Sequence, residues 1–265
     1  RKLTPGKVHL SVDDSSAEYL KGIQGVELHH VKGVHPAGNV GVQIHKLDPI
    51  NRGERVWTVG VEDVAIIGNV FLTGEYRAER TVAVVGSEAE NRKYYQTIIG
   101  SNVTDLIGQV AEGTRIISGD VFTGTQLSNN QYLGFFENEL TLIPEGDNYR
   151  IFGWLPFTYN NIHSHSRTSL SWLFPNKKYT PTTNLNGEER ALVVTGEMEE
   201  VLPMDIYPMQ LIKACMAGDI EKMENLGIYE VAPEDFATVE YVNTSKIEIQ
   251  EVIRLGLDLM ITEVG

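Results

Sequence analysis

Sulfur is scarce in this sequence. Its 265 residues include one cysteine, Cys215. One thiol closes no internal disulfide, and zinc or iron–sulfur centres take about four ligands. A lone thiol also fits a reducing compartment. Long apolar runs are missing as well. The longest candidate, VAIIGNVFLTG (64–74), follows Glu62 and Asp63 and is far short of the roughly 18 residues a membrane helix needs. The local signatures of a nucleophile elbow, a zincin helix and a dithiol motif are absent, so no motif marks a hydrolase, a metalloprotease or a thiol oxidoreductase.

Basic residues are also in deficit, and the deficit is local. The formal net charge is −14. Residues 187–265 hold 17 acids against 5 bases, and the rest of the chain holds 19 against 17. An acidic surface repels phosphates, so this region is expected to bind neither nucleic acid nor anionic lipid heads. A solvated helical surface accounts for such a charge excess.

What the chain does have is glycine at telling places. GVHPAGNVG (33–41) follows a strand pattern and carries Gly33 and Gly38 at the spacing of a P-loop. A P-loop continues with Lys and Ser or Thr, for the phosphates and Mg²⁺. Here Asn39 and Val40 stand there. The dinucleotide pattern fails too, because Gly33, Gly38 and Gly41 are wrongly spaced. The stretch is a strand-to-helix turn without the chemistry of either nucleotide loop.

Periodicity divides the chain into regions. Strands are predicted at 7–12, 25–31 and 57–61, and a short helix at 15–22 with Ser15 and Glu18 at capping-box spacing. Another helix presents Val40, Ile44 and Leu47 on one face, with Pro36 in its first turn. A third carries Val64, Ile67 and Phe71 and stops at Gly74. From residue 80 the pattern turns to strands at 80–86, 96–100, 115–120, 132–136 and 139–144, with β character continuing over 149–154. One short helix at 104–109, capped by Thr104, interrupts them. This mixture suits a small β-grasp domain. Residues 151–202 read as a connecting segment. From 203 the chain is helical: Pro208 to Met216 ending at Gly218, Asp219 to Leu226 ending at Gly227, and a last helix. Ser245 and Glu248 would form its capping box, and Ile249, Ile253, Leu257 and Met260 its apolar face. The fold class is α/β and α+β in several domains: 1–79, 80–150, 151–202 and 203–265.

Few side chains group into chemistry. His29 and His30 are adjacent on a strand and face opposite ways, so they cannot jointly hold a metal. His163 and His165 share a face, but a metal needs further ligands and none stands nearby. Cys215 falls on a helical apolar face, as a small buried thiol does. His35 sits where a strand hands over to a helix N-terminus, whose free N–H groups and dipole favour a polar ligand. It could hydrogen-bond a carbonyl-bearing ligand such as a quinone. The alternative is a purely conformational turn, since His-Pro biases the chain to extended geometry and the glycines allow close packing.

Several blocks resemble a known family. GVHPAGNVGVQIHKLDPIN, VWTVGVEDVAIIGNVFLTGEYRAERTVAVVG, TIIGSNVTDLI and RIISGDVFTGT are similar to the A subunit of the bacterial sodium-translocating NADH:quinone reductase, along nearly the whole chain. The family's subunit is longer at the N-terminus. The chain opens RKLTPG without an initiator Met, so it is expected to be a C-terminal fragment. The resemblance extends distantly to the flavin subunit of respiratory complex I and to the C subunit of the Rnf complex. It implies part of a Rossmann-like domain, then a β-grasp domain of the SLBB type, then a helical domain resembling a ferredoxin-like bundle. Rnf-type relatives carry Cys-Pro steps in that bundle, where this chain has Asn243 and Thr244. The bundle is therefore expected to lack clusters.

The resemblance further implies a peripheral component on the cytoplasmic face of the bacterial inner membrane, part of a translocase and not catalytic alone. NADH, flavins, iron–sulfur centres and ubiquinone would be handled on other subunits, and this chain would bind no cofactor of its own. The membrane B subunit is the implied protein partner, and ubiquinone or menaquinone the implied small-molecule one. His35, Pro36 and Gly38 are the candidate quinone-binding residues. No residue is expected to act as acid, base or nucleophile. A docking module without quinone contact is the competing reading.

Overall fold

A computed structural model of the chain describes residues 3–15, 18–20, 22–146, 148–153, 155 and 171–265. In chain order the regular elements are β1 (His9–Asp13), β2 (Glu27–Val31), α1 (Val40–Leu47), α2 (Val61–Thr73), β3 (Glu79–Val85), β4 (Lys93–Ile98), α3 (Val103–Ile107), β5 (Thr114–Ser118), β6 (Thr125–Leu127), β7 (Glu139–Pro144), α4 (Pro208–Ala217), α5 (Ile220–Asn225), α6 (Ala237–Val242) and α7 (Ile249–Glu263). Among the described residues no helix is long and apolar enough to cross a membrane. The chain forms two compact units, one of residues 1–57 with 190–265 and the other of residues 58–189.

In the first unit β1 and β2 pair in parallel, His9 beside Glu27 through Asp13 beside Val31. Helix α1 follows the glycine turn, and the helical segment packs with it. Val42 of α1 joins one core with Met209, Leu211, Ile212, Phe236, Ile249 and Ile253. Each such fully buried side chain stabilises by about 1.5–3 kcal/mol relative to exposure. Residues 1–57 and the helical segment 203–265 lie in one compact unit.

The helices of that segment stop where their glycines stand. Gly218 ends α4 in the left-handed conformation, and Pro208 occupies its first turn, where a missing N–H costs nothing. Asp219 caps α5 by accepting from the Lys222 N–H. Helix α7 is capped differently from expectation. The Ser245 hydroxyl donates to the Ala191 carbonyl instead. The helix begins at Ile249, and Glu240 of α6 accepts from the Gln250 N–H at 2.8 Å. A neighbouring helix thus supplies the acceptor that a local side chain was expected to provide.

The second unit is a mixed five-stranded sheet in the order β4-β3-β7-β5-β6, with β3 and β7 parallel and the other neighbours antiparallel. Strand β3 alternates cleanly, and Arg80, Val82 and Val84 are buried on one face. Val82 and Val84 pack with Val103 and Leu106 of α3 and with Leu140 and Leu142 of β7. Arg80 is a cation on that inward face. Its guanidinium pairs with Asp63 of α2 and donates to the Phe135 carbonyl at 2.9 Å.

Several expectations are corrected. Residues 57–60 form no strand; the Val64 N–H bonds the Gly60 carbonyl at 3.0 Å, and Glu62 and Asp63 favour the helix start that Val61 opens. Residues 132–136 make only the bridge Asn102–Tyr132 before a turn. Residues 151–153 are turn, and Trp154 lies outside the described residues. Over 15–22 the described residues show turn rather than helix. The cap of α3 is Asn102, accepting from the Thr104 N–H at 2.9 Å, not Thr104 itself. Pro36 belongs to the turn before α1 rather than to its first helical turn. Strand β6 is too short to register in the sequence pattern.

Candidate functional site

The two parallel strands of the first unit end side by side, and the chain leaves β2 through the glycine turn. A hollow of about 150 Å³ opens there, lined by Ser11, Val12, Asp13, Val31, Gly33, Ala37, Gly38 and Gln43. Ligands of open α/β sheets settle outside the carboxyl ends of the strands. The local sequence explains the shape. A Cβ on Gly33 would stand 2.9 Å from the Ala37 Cβ, so the turn folds tightly on itself. Gln43 holds the turn from α1, its Nε2 donating to the carbonyls of Ala37 at 3.3 Å and Gly38 at 3.1 Å. The His35–Pro36 peptide bond is cis.

Polar contacts across the first unit fix α1 beneath the turn. Asn39 Nδ2 donates to the Glu234 carbonyl at 3.1 Å. His45 Nε2 accepts from the Asp205 N–H at 2.9 Å, which leaves the ring proton on Nδ1 in the neutral tautomer. That Nδ1 lies 2.9 Å from Glu230 Oε2, but off the axis of a hydrogen bond. Gly41 passes so close to Asp235 that a Cβ would stand 2.1 Å from its carboxylate. Burial pushes the Asp235 carboxyl up, opposed by the N–H of Ala232.

The electrostatics of the hollow decide what it can take. Ser15 donates to Asp13 through its hydroxyl and its N–H, and these bonds hold the Asp13 carboxyl below the usual carboxylate range. An anion therefore stands in the wall, and among the described residues the lining has no Lys or Arg. Phosphate is disfavoured. The volume is also well below the roughly 300 Å³ at which drug-sized ligand pockets begin. The hollow suits a small neutral ring or carbonyl group better than a dinucleotide.

The predicted residues divide around this hollow. Gly38 lines it, and a Cβ there would meet nothing within 4 Å. His35 is exposed and Pro36 buried in the same turn, and neither is in the lining. His30 turns to Asp14, with 3.3 Å between Nδ1 and Oδ1, and His29 turns to the other face. His163 and His165 lie outside the described residues. Cys215 is half-buried, and burial pushes its thiol up to about 11, which makes it a poor nucleophile near neutrality. Sequence reasoning missed Ser11, Asp13 and Gln43. Asp13 closing an apolar strand before a turn was the available signal.

Where a Cys-Pro step would open a helix in cluster-bearing relatives, the Asn243 amide is buried and engaged. Its Nδ2 donates to the Ile247 carbonyl at 3.3 Å, and its Oδ1 accepts from the Ser245 N–H at 3.0 Å. Thr244 Oγ1 bonds Glu197 Oε1 at 2.8 Å.

Comparison with known proteins gives the class first. Residues 1–76 match the family model described as the NqrA second alpha/beta domain, and residues 81–129 match that of the NQRA C-terminal domain. The molecule is thus a mixed α/β protein with NqrA α/β and SLBB domains. The chain is 38% identical over 261 residues to the A subunit of the Na(+)-translocating NADH-quinone reductase of Cellvibrio japonicus. It is 36% identical over 264 residues to that of Saccharophagus degradans and 32% over 260 to that of Neisseria meningitidis. Each match covers 97% of this chain and 58% of the relative. The chain is similar to the A subunits of this reductase along nearly all of its own length, and it spans somewhat over half the length of these relatives.

Proposed function

We propose that the chain forms part of the A subunit of a sodium-pumping NADH:quinone reductase, at the cytoplasmic face of the membrane against the B subunit. It contributes quinone access and assembly and carries no redox centre itself. NADH, flavins, iron–sulfur centres and ubiquinone or menaquinone react on other subunits, and the isolated chain is not catalytic. The finer architecture belongs to the same reading: a partial Rossmann-like region over 1–79, an SLBB-type β-grasp domain over 80–150, and over 203–265 a bundle related to cluster-bearing ones.

The observation that carries the quinone role is the hollow at the ends of β1 and β2. It is anionic, small and roofed by the glycine turn, a setting for a flat neutral ring rather than a phosphate. Gly38 lets the ring approach the backbone, and the Ser11 hydroxyl can donate to a carbonyl. His35 and Pro36 shape the rim. A photoreactive quinone analogue on the assembled complex tests this. Label in the peptide holding residues 33–43, lost on Gly38→Leu with assembly intact, is the expected result. Label confined to other subunits would refute the quinone contact.

A second reading, docking without quinone contact, has an observation of its own. None of the residues of α2 is buried, and Val61, Val64, Phe71 and Leu72 are exposed. Such an apolar face suits a neighbouring protein of the complex.

A further inference from the structure

On the same strand pair, from its middle to the end away from the hollow, three metal-ligating side chains converge. His9 stands beside Glu27 across the parallel pair, and His29 follows Glu27 by two residues, so all three share one face. His9 Nδ1 lies 2.9 Å from His29 Nε2 and 3.7 Å from Glu27 Oε2. The three ligand atoms all fall within 4.8 Å of one another. Ligands about 2.05 Å from a tetrahedral cation stand roughly 3.3 Å apart, and the separations of His9 from His29 and from Glu27 bracket that spacing. Lys7 approaches the other carboxylate oxygen, Oε1, at 3.5 Å, and leaves Oε2 toward the histidine.

We propose that His9 Nδ1, Glu27 Oε2 and His29 Nε2 form a binding site for a divalent transition-metal cation of the Zn²⁺ type, with solvent in the remaining position. Two imidazoles and one carboxylate are the donor set that borderline cations prefer over Mg²⁺ or Ca²⁺. In the metal-free chain the close nitrogen pair shares one proton as an N–H···N bond. On binding, that hydrogen is carried by the donor ring's other nitrogen, so both imidazoles ligate as neutral rings, and the carboxylate offsets part of the cation's charge. The ligands come from strands paired along five residues, so binding ties residues 9–13 to 27–31 without reshaping either.

Co²⁺ serves as the probe, because tetrahedral coordination by imidazole gives visible absorption. Titrating the full chain is expected to show one equivalent bound and its displacement by Zn²⁺. His9→Ala, Glu27→Gln and His29→Ala should each weaken binding at least about tenfold. His30→Ala, on the opposite face, and a His163→Ala/His165→Ala double variant should bind as the parent does. All three ligands are at least partly exposed, and unchanged thermal melts of the variants would confirm intact folding. No absorption in the parent would overturn the proposal. So would undiminished binding in His9→Ala and His29→Ala, or loss only in the 163/165 double variant.

Discussion

Helices α1 and α2 carry similar apolar patterns and meet opposite fates. Helix α1 has only eight residues, yet Val42 and His45 are buried and its surroundings grip it through Asn39, Gly41 and His45. Helix α2 has thirteen residues, more of them apolar, and none is buried; Phe71 is 71% exposed and Leu72 88%. What fastens α2 within its own unit is a charge pair, Asp63 with the buried Arg80. An apolar stripe shows that a helix has a face to cover, and long-range partners decide whether it is covered.

The largest expected effect falls on α2. Asp63→Asn strips the closest anionic partner from an Arg80 side chain that is 3% exposed, leaving Glu62 at 3.7 Å and the Phe135 carbonyl at 2.9 Å to compensate. Chemical denaturation should show a loss of about 3 kcal/mol, and a loss under 1 kcal/mol would mean that α2 is not held by that pair. On α1, Gly41→Ala sets two effects against each other. Helix propensity favours alanine by about 1 kcal/mol, while the clash with the Asp235 carboxylate costs more. A net loss of about 2 kcal/mol is expected; a gain would show that the α1 contact is loose.

Asp235 also gives α1 a pH signature. Its folded carboxyl titrates above the unfolded one because of burial. Its contribution to stability is then complete below about pH 4 and is lost as pH rises through the folded value. Stability measured against pH in the parent minus that in Asp235→Asn should therefore fall with rising pH, by no more than about 1.4 kcal/mol per unit. A difference rising with pH would reverse the sign of the assignment. The smallest stability effect is Phe71→Ser, within about 0.5 kcal/mol because the ring is already in water. The same change should weaken binding of the chain to its neighbours in a pull-down of the complex. Unaltered assembly would leave the docking reading without support.

The contrast also shows what the sequence could reveal. Gly74 and Gly218 mark the ends of α2 and α4 because a left-handed cap is a local requirement. The strands β1, β2, β3, β5 and β7 stand close to where alternation puts them. The buried face of α1 could not be read, because Val42 is covered by residues such as Phe236, nearly two hundred positions away. The same holds for the cap of α7, which comes from Glu240 rather than Ser245. In the site, the turn and Gly38 were legible from their glycines. The part played by Ser11 and Asp13 depends on which strand lies beside β1, and spacing along the chain does not encode that.

The core that joins α1 to the helical segment includes Met198, Met204, Met209, Met223 and Met260, while Met216 lies outside it and exposed. Thioethers pack well and do not become thiolates, so this interior is rich in sulfur that cannot anchor a cluster. Peroxide would convert Met216 to its sulfoxide first and spare the other five while the fold lasts. Once the interior opens, each new sulfoxide obstructs repacking, and damage becomes self-propagating.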